Sequence, residues 1–390
     1  MTSAKNKSKQ KHNANRKKPK RKKNYSLVEA DFTLIATTIA LVIIGLLMVY
    51  SATSYENIAL GKSAYKDVYK QGLFALIGIF LMIFVISNID YHNYTRQLST
   101  LLLILTIGLN LLVLRYDPIK NARRWIHLPM FSFQPSEIAK FMVVVFNANI
   151  LKRIYMHRKK PWGPVVKVFF TTGILAGIIV IIQSNLSVGA IIGLTSMVMI
   201  FLSGASYLQS FIPIILGGAA FTFAILKKPY RLIRVTSFLK PFEDPRGSGH
   251  QLVQSLYALS SGGIFGRGLA MSRLKAFWLP EAHNDFIFAV IVEELGFLGG
   301  MLVIILLITL VYKGMRISID ARDNFGRLLA AGITAVFAFQ SLINIAVVIG
   351  AFPVTGVTLP FISAGGTSLI VNLAAVGVLL NISRQKPKDN

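Results

Sequence analysis

Ten apolar runs dominate this chain, centred on residues 32–51, 72–89, 98–115, 137–155, 167–183, 187–203, 208–226, 285–311, 328–351 and 366–382. At about 1.5 Å of rise per helical residue, a run of roughly 18 residues crosses the ~30 Å hydrocarbon layer of a bilayer. Inside that layer every backbone N–H and C=O must find its partner within the protein, so unbroken apolar runs of this length can only be helices. The expectation is an all-α polytopic membrane protein with about ten transmembrane helices and a long external loop, 227–284, between helices seven and eight. Hydrophobic residues make up 54% of the chain and charged residues 15%, outside the usage of soluble domains. The domain reading is a basic tail over 1–30, a ten-helix membrane domain over 31–383 and a short tail over 384–390. Only Gln183 to Leu186 separate runs five and six, which leaves a single re-entrant hairpin open there. Ser51-Ala52-Thr53-Ser54 after the first run resembles a signal-peptidase site, but the run is longer than a signal-peptide core and reads as a retained helix.

The formal charge of +26 suggests nucleic acid at first sight, yet eleven of the 42 basic residues sit in the first 23 positions, ahead of the membrane segments. That tail has almost nothing apolar to fold around, so it is expected to be disordered and held at anionic lipid headgroups, with no nucleic-acid partner. The chain has no cysteine, and its six histidines lack zinc-ligand spacing, so no built-in metal site is expected. Lys and Arg are enriched in cytoplasmic loops, which places the N-terminus and the cluster from Lys152 to Lys167 in the cytoplasm. An even number of spans returns the C-terminus to the same side. Two external segments are basic against that rule. One carries Arg115, Lys120, Arg123 and Arg124; the other is the loop 227–284. Long loops escape the rule, and the alternative account is an anionic ligand gathered at the outer surface.

Three polar clusters converge on that face. In the first, Arg123-Arg124-Trp125 leads into Gln134-Pro135-Ser136-Glu137, with Lys140 three residues beyond Glu137 on the same helix side. Glu137 and Lys140 read either as a structural ion pair or, with Arg124, as part of a phosphate site. The second runs through Arg231, Arg234 and Arg246 to Gly262-Gly263 and Gly268, a polar loop able to lie along the membrane over a cleft. The third is Pro353 to Ser368, where Gly365-Gly366 opens the last span and presents helix N–H groups that suit an anion, unless it is an ordinary Ser/Thr-capped start.

Carboxylates supply the sharpest signal. The chain holds 16 Asp plus Glu, and Glu281, Asp285, Glu293 and Glu294 crowd the mouth and interior of one span. Ionised groups in hydrocarbon cost at least ~2.5–3.5 kcal/mol each and usually mark function. Asp285 or Asn284 would serve as a helix cap, but capping does not explain Glu293 and Glu294, roughly 12 Å deeper along the axis. The expectation is a buried link from one of these two to Lys140, with Asp285 above it at the water interface as an ionised general base.

Arg123-Arg124-Trp125-Ile126, FSFQPSEIAKF from Phe131 to Phe141, Trp278 to Gly300, and Asn344 to Ser368 with PVTGVTLPFISAGGTS together resemble the SEDS family (shape, elongation, division and sporulation) of the FtsW/RodA type. The resemblance spans the chain after the basic tail and leans to the division branch. It implies a peptidoglycan glycosyltransferase that polymerises lipid II at the outer face of the bacterial cell membrane by β-1,4 bond formation, with a lipid II flippase as the alternative. It implies Asp285 as the catalytic residue. Arg123, Arg124, Lys140, Arg246, Gly365, Gly366 and Ser368 would bind the substrate pyrophosphate, and Glu137, Glu293 and Glu294 would be structural or relay charges. A divalent cation would be able to assist, although no residue pattern demands one. The implied partners are a class B penicillin-binding protein, which is a single-span transpeptidase, and other division or elongation membrane proteins, at the septum. The sequence departs from the family pattern at Asn185, His250 and Ala364.

Overall fold

Long apolar sequence without proline folds as helix wherever its flanks supply a cap, and the caps here are plain. Asp31 accepts from the Leu34 N–H to open α1 (Phe32–Ala59), and Thr95 does the same for α3 (Arg96–Leu112). The structure is a computed structural model and describes residues 31–118, 122–127, 132–154, 161–272 and 280–385. The basic tail 1–30, Lys120, Phe131, Trp278 and the final residues 386–390 lie outside the described residues.

Between α1 and α3, α2 (Lys66–Phe80) continues through a π turn and a 3-10 turn as far as Asn88. A two-residue hairpin, β1 (Ile126–His127) against β2 (Ser132–Phe133), precedes α4 (Pro135–Leu151). Then come α5 (Trp162–Ile181), α6 (Leu186–Leu202), α7 (Tyr207–Leu226), α8 (Pro229–Leu239), α9 (His250–Gly262), α10 (Ile287–Ile319), α11 (Asn324–Val348) and α12 (Gly366–Ser383). Among the described residues, eight helices are long and apolar enough to cross a membrane. The other two expected spans, α4 and α6, are 17 residues each. Runs five and six are therefore two separate helices, with Asn185 accepting from the Val188 N–H to open α6. The segment read as a polar loop, 227–284, instead builds the short helices α8 and α9.

α4 is the hub: nearly all its residues are buried, and it packs against α3, α5, α6 and α11. α7 lies at the edge, with Leu208, Phe211 and Ile215 turned outward. Hydrogen bonds sew the two ends of the helix assembly separately. At one end Tyr91 donates to Asp323 and Gln385 to Asp90. At the other, Arg124 donates to the α5–α6 turn, Gln71 to Ser363, and Asn344 to the chain at Asp285. The second end holds the three polar clusters. α10 is not one straight rod: Gly296 (φ 72°, ψ −172°) breaks it, a backbone region open essentially to glycine alone.

Candidate active site

The turn before α10 is built to hold Asp285 off the helix. Glu281 adopts φ 59°, and its carbonyl receives the N–H groups of Asn284 and Phe286. The N-cap position falls on Phe286, which makes no side-chain capping bond. Asn284 Nδ2 donates to Glu281 Oε2 at 2.6 Å. Three successive carbonyls are then pinned from outside. His283 O accepts from the Ala364 N–H at 2.9 Å, Asn284 O from Ser363 Oγ at 2.7 Å, and Asp285 O from Asn344 Nδ2 at 2.7 Å. Asn344 also donates to Val357 O at 2.6 Å, so one side chain ties the turn to the 353–365 loop. The result is a half-buried carboxylate on a backbone with little freedom.

Facing it is Arg124. Its Nε and Nη2 donate to the carbonyls of Gln183 (2.9 Å) and Ser184 (2.8 Å) at the α5–α6 turn, where Ser184 sits at φ 51°. That leaves Nη1 directed toward Gly356, where a methyl group would lie 3.9 Å from Arg124 Nη1 and 3.4 Å from Asp285 Oδ2. A single exposed glycine thus marks the floor between carboxylate and guanidinium. Burial and then the neighbouring Arg234 cation pull the Arg124 pKa below its ordinary value, while Tyr230 and Asp285 oppose the shift. Arg124 therefore stands between a second cation, Arg234, and the Asp285 carboxylate, an arrangement that suits added negative charge.

The expected residues divide on inspection. Arg123 is exposed and donates to Leu114 O, while Arg246 lies exposed in the turn that Asp244 closes by accepting from Gly247 and Ser248. Arg231 is buried and commits its guanidinium to Ala224 O, Val180 O and Tyr230 Oη. Gly365 N–H donates to Gln71 Oε1 at 3.2 Å, and a Cβ at Gly366 would stand 2.3 Å from the Phe74 ring. The bare Cα of Gly366 lets α2 close on α12, and Ser368 accepts from Asn372 one turn on.

The expected link from Lys140 to Glu293 or Glu294 is not made. Lys140 Nζ donates to Glu137 Oε2 at 3.0 Å and Gln340 Oε1 at 2.7 Å, at 2% exposure. The partner one turn away on the same helix wins because it needs no approach between helices. Gln340 in turn donates to Thr358, so this pair braces the 353–365 loop from beneath. Glu294 instead accepts from Ser51 Oγ of α1 (2.6 and 2.7 Å) and from the N–H groups of Ala270 and Ser272 (3.0 and 3.2 Å), while Glu293 accepts from Ser272 Oγ. Sequence reasoning singled out the stretch from Asn344 to Ser368 but gave Asn344 and Ser363 no framing role, and it missed Gln340 and Gln71. The signal was present in Gln340 and Asn344, two amides one turn apart in an otherwise apolar run. Among the described residues no three His, Cys, Asp or Glu side chains come together as metal ligands.

The fold and site together define a multi-pass membrane protein with a framed carboxylate–arginine pair at one end of the helix assembly. The chain belongs to the FtsW/RodA/SpoVE family of cell cycle proteins, whose sequence profile matches residues 32–388. It is 42% identical to the stage V sporulation protein E of Bacillus subtilis over 361 residues, covering 91% of this chain and 97% of that protein. It is 37% identical to a probable peptidoglycan glycosyltransferase FtsW of Trichlorobacter lovleyi, covering 93% and 95%. A solved chain of a peptidoglycan synthase complex that coordinates polymerization and crosslinking superposes with a TM-score of 0.72 at 25% identity, covering 92% of this chain and 99% of that one. The resemblance drawn from the motifs is therefore the family found.

Proposed function

We propose that this protein is a peptidoglycan glycosyltransferase that polymerises lipid II at the outer face of the bacterial cell membrane, with both termini in the cytoplasm. The single observation that carries the reading is the half-buried Asp285, its turn pinned through three carbonyls, opposite the Nη1 of Arg124. The 4-hydroxyl of one lipid-linked glucosamine attacks the anomeric carbon of the growing chain. Asp285 takes the hydroxyl proton, the glycosidic C–O bond to pyrophosphate breaks, and inversion gives the β-1,4 link. Arg124 and Arg234, with Arg123 and Arg246 at the rim, offset the charge that builds on the leaving pyrophosphate. Lys140 and Glu137 hold the loop that carries Gly356, Gly365 donates to Gln71, and Gly366 lets α12 pack against α2.

A flippase would need a polar path between the two membrane faces. The charged groups at depth, Glu137 with Lys140 and Glu293 with Glu294, are bonded into the packing, which favours the polymerase. By analogy with the synthase complex, a class B penicillin-binding protein is the expected partner, with other division or elongation proteins and the septum as the setting. The test is polymerisation of labelled lipid II by the purified protein with its transpeptidase, wild type against Asp285→Asn. A folded Asp285→Asn protein should lose at least about 100-fold in rate, the lower range for a general base. Equal polymer from both would refute the assignment.

A further inference from the structure

α10 contains a joint that the reaction scheme above does not use. In an unbroken helix the N–H groups of Phe297 and Leu298 would donate to the carbonyls of Glu293 and Glu294, four residues back. Here both bonds are open, and all four groups are paired with the irregular segment that follows α9. Arg267 N–H donates to Glu293 O (3.0 Å), Gly268 N–H to Glu294 O (3.0 Å), Phe297 N–H to Gly263 O (2.9 Å) and Leu298 N–H to Ile264 O (3.3 Å). Glycine makes the insertion sterically feasible. A Cβ at Gly296 would meet Ile264 O at 2.2 Å, and one at Gly266 would meet Glu294 O at 2.2 Å. Backbone that leaves the helix at membrane depth is tolerated only where protein re-pairs it, and this segment does so.

The upper piece of α10, from Ile287 to Leu295, is therefore mechanically separate from the lower piece. Its foot is fixed by the inserted segment and by two carboxylates. Glu294 is held by Ser51 of α1 and by the N–H groups of Ala270 and Ser272, and Glu293 by the Ser272 hydroxyl. Its head is the turn that carries Asp285. We propose that Glu294, held through Ser51, and Gly296 are positioning residues that set the tilt of this half-helix and thereby the height of Asp285 in the cleft. This rests on the reading of Asp285 as the base. Over a lever of roughly 13 Å, a tilt of about 4° moves the far end by ~1 Å. A misplacement of ~1 Å costs a catalytic group up to about 100-fold in rate.

The test uses Ser51→Ala, which removes only a hydroxyl on another helix, beside Glu294→Gln in the full-length protein. Amide hydrogen exchange is followed in nanodiscs and kcat and KM for lipid II are measured in parallel. The expected result is exchange at residues 282–289 at least about five-fold faster in both variants, with kcat about tenfold lower and KM unchanged. Faster exchange confined to 263–272 and 293–298, with kcat unchanged, would overturn the proposal and leave the joint a local packing feature. Should Glu294→Gln fail to fold, Ser51→Ala decides alone. Should wild type make no polymer, the polymerase reading fails by itself. Exchange at 282–289 then still decides whether the joint controls the Asp285 turn.

Discussion

Gly356→Ala isolates the cleft from the fold that supports it. The glycine is exposed and lies outside the left-handed backbone region, and its added methyl would meet Asp285 Oδ2 at 3.4 Å and Arg124 Nη1 at 3.9 Å, both ordinary contacts. No packed atom has to move, so stability should change by no more than about 0.5 kcal/mol, as for other exposed substitutions. The chemistry meets a different situation. A hydroxyl must come within about 2.6–3.2 Å of its base, and the methyl occupies that approach from the Arg124 side. Displacing the attacking oxygen by ~1 Å costs about 100-fold, or ~2.7 kcal/mol of transition-state stabilisation. The assay is initial rate against lipid II concentration for wild type, Gly356→Ala and Asp285→Asn, with melting temperature measured on the same preparations. A Gly356→Ala protein with wild-type melting and kcat/KM within about twofold of wild type would show that the reacting groups do not meet between Asp285 and Arg124, contrary to the mechanism above.

Two further substitutions probe the frame. Lys140→Met leaves Glu137 buried without its cation and should destabilise by about 3–5 kcal/mol, whereas Lys140→Met with Glu137→Gln should recover most of that loss in thermal unfolding, as expected of a structural pair; failure of the double variant to recover would argue that the charges themselves are required. Arg124→Lys puts a single compact ammonium where the planar guanidinium spans the Gln183 and Ser184 carbonyls and the cleft, so kcat/KM for lipid II should fall about tenfold, and an unaffected enzyme would remove Arg124 from the site.

The helices were legible because hydrocarbon imposes one rule on every residue of a span, and runs of apolar sequence obey it without help from distant parts of the chain. The site was legible in part for the same reason: carboxylates such as Asp285 and Glu293 are conspicuous where charge is costly. What the residues could not reveal was which groups meet. Of the two Lys140 partners that the sequence offered, Glu137 prevails over the glutamates of α10 because a glutamate three residues away competes with any glutamate on another helix. Among the partners of Glu293 and Glu294 are two backbone N–H groups and the Ser272 hydroxyl of a glycine-rich segment and the Ser51 hydroxyl of α1, groups common along any chain that carry no charge to flag them. Gly296 stood within an apolar run and read as helix, since its left-handed backbone becomes necessary only once another segment inserts beside it. The helices α8 and α9 escaped because their apolar residues are too few and too interrupted to read as spans.

The pins on the Asp285 turn arrive late in the life of the chain. Asn344 is translated 59 residues after the aspartate whose carbonyl it holds, and Ser363 follows Asn284 by 79 residues. At about 5–20 residues per second, a ribosome leaves the carboxylate without this support for roughly 4 to 16 s while the earlier helices already occupy the bilayer. A half-made protein therefore has the carboxylate but not the hydrogen bonds that pin its turn. On the reading of Asp285 as the base, synthesis order delays the working geometry until α11 and the 353–365 loop are in place.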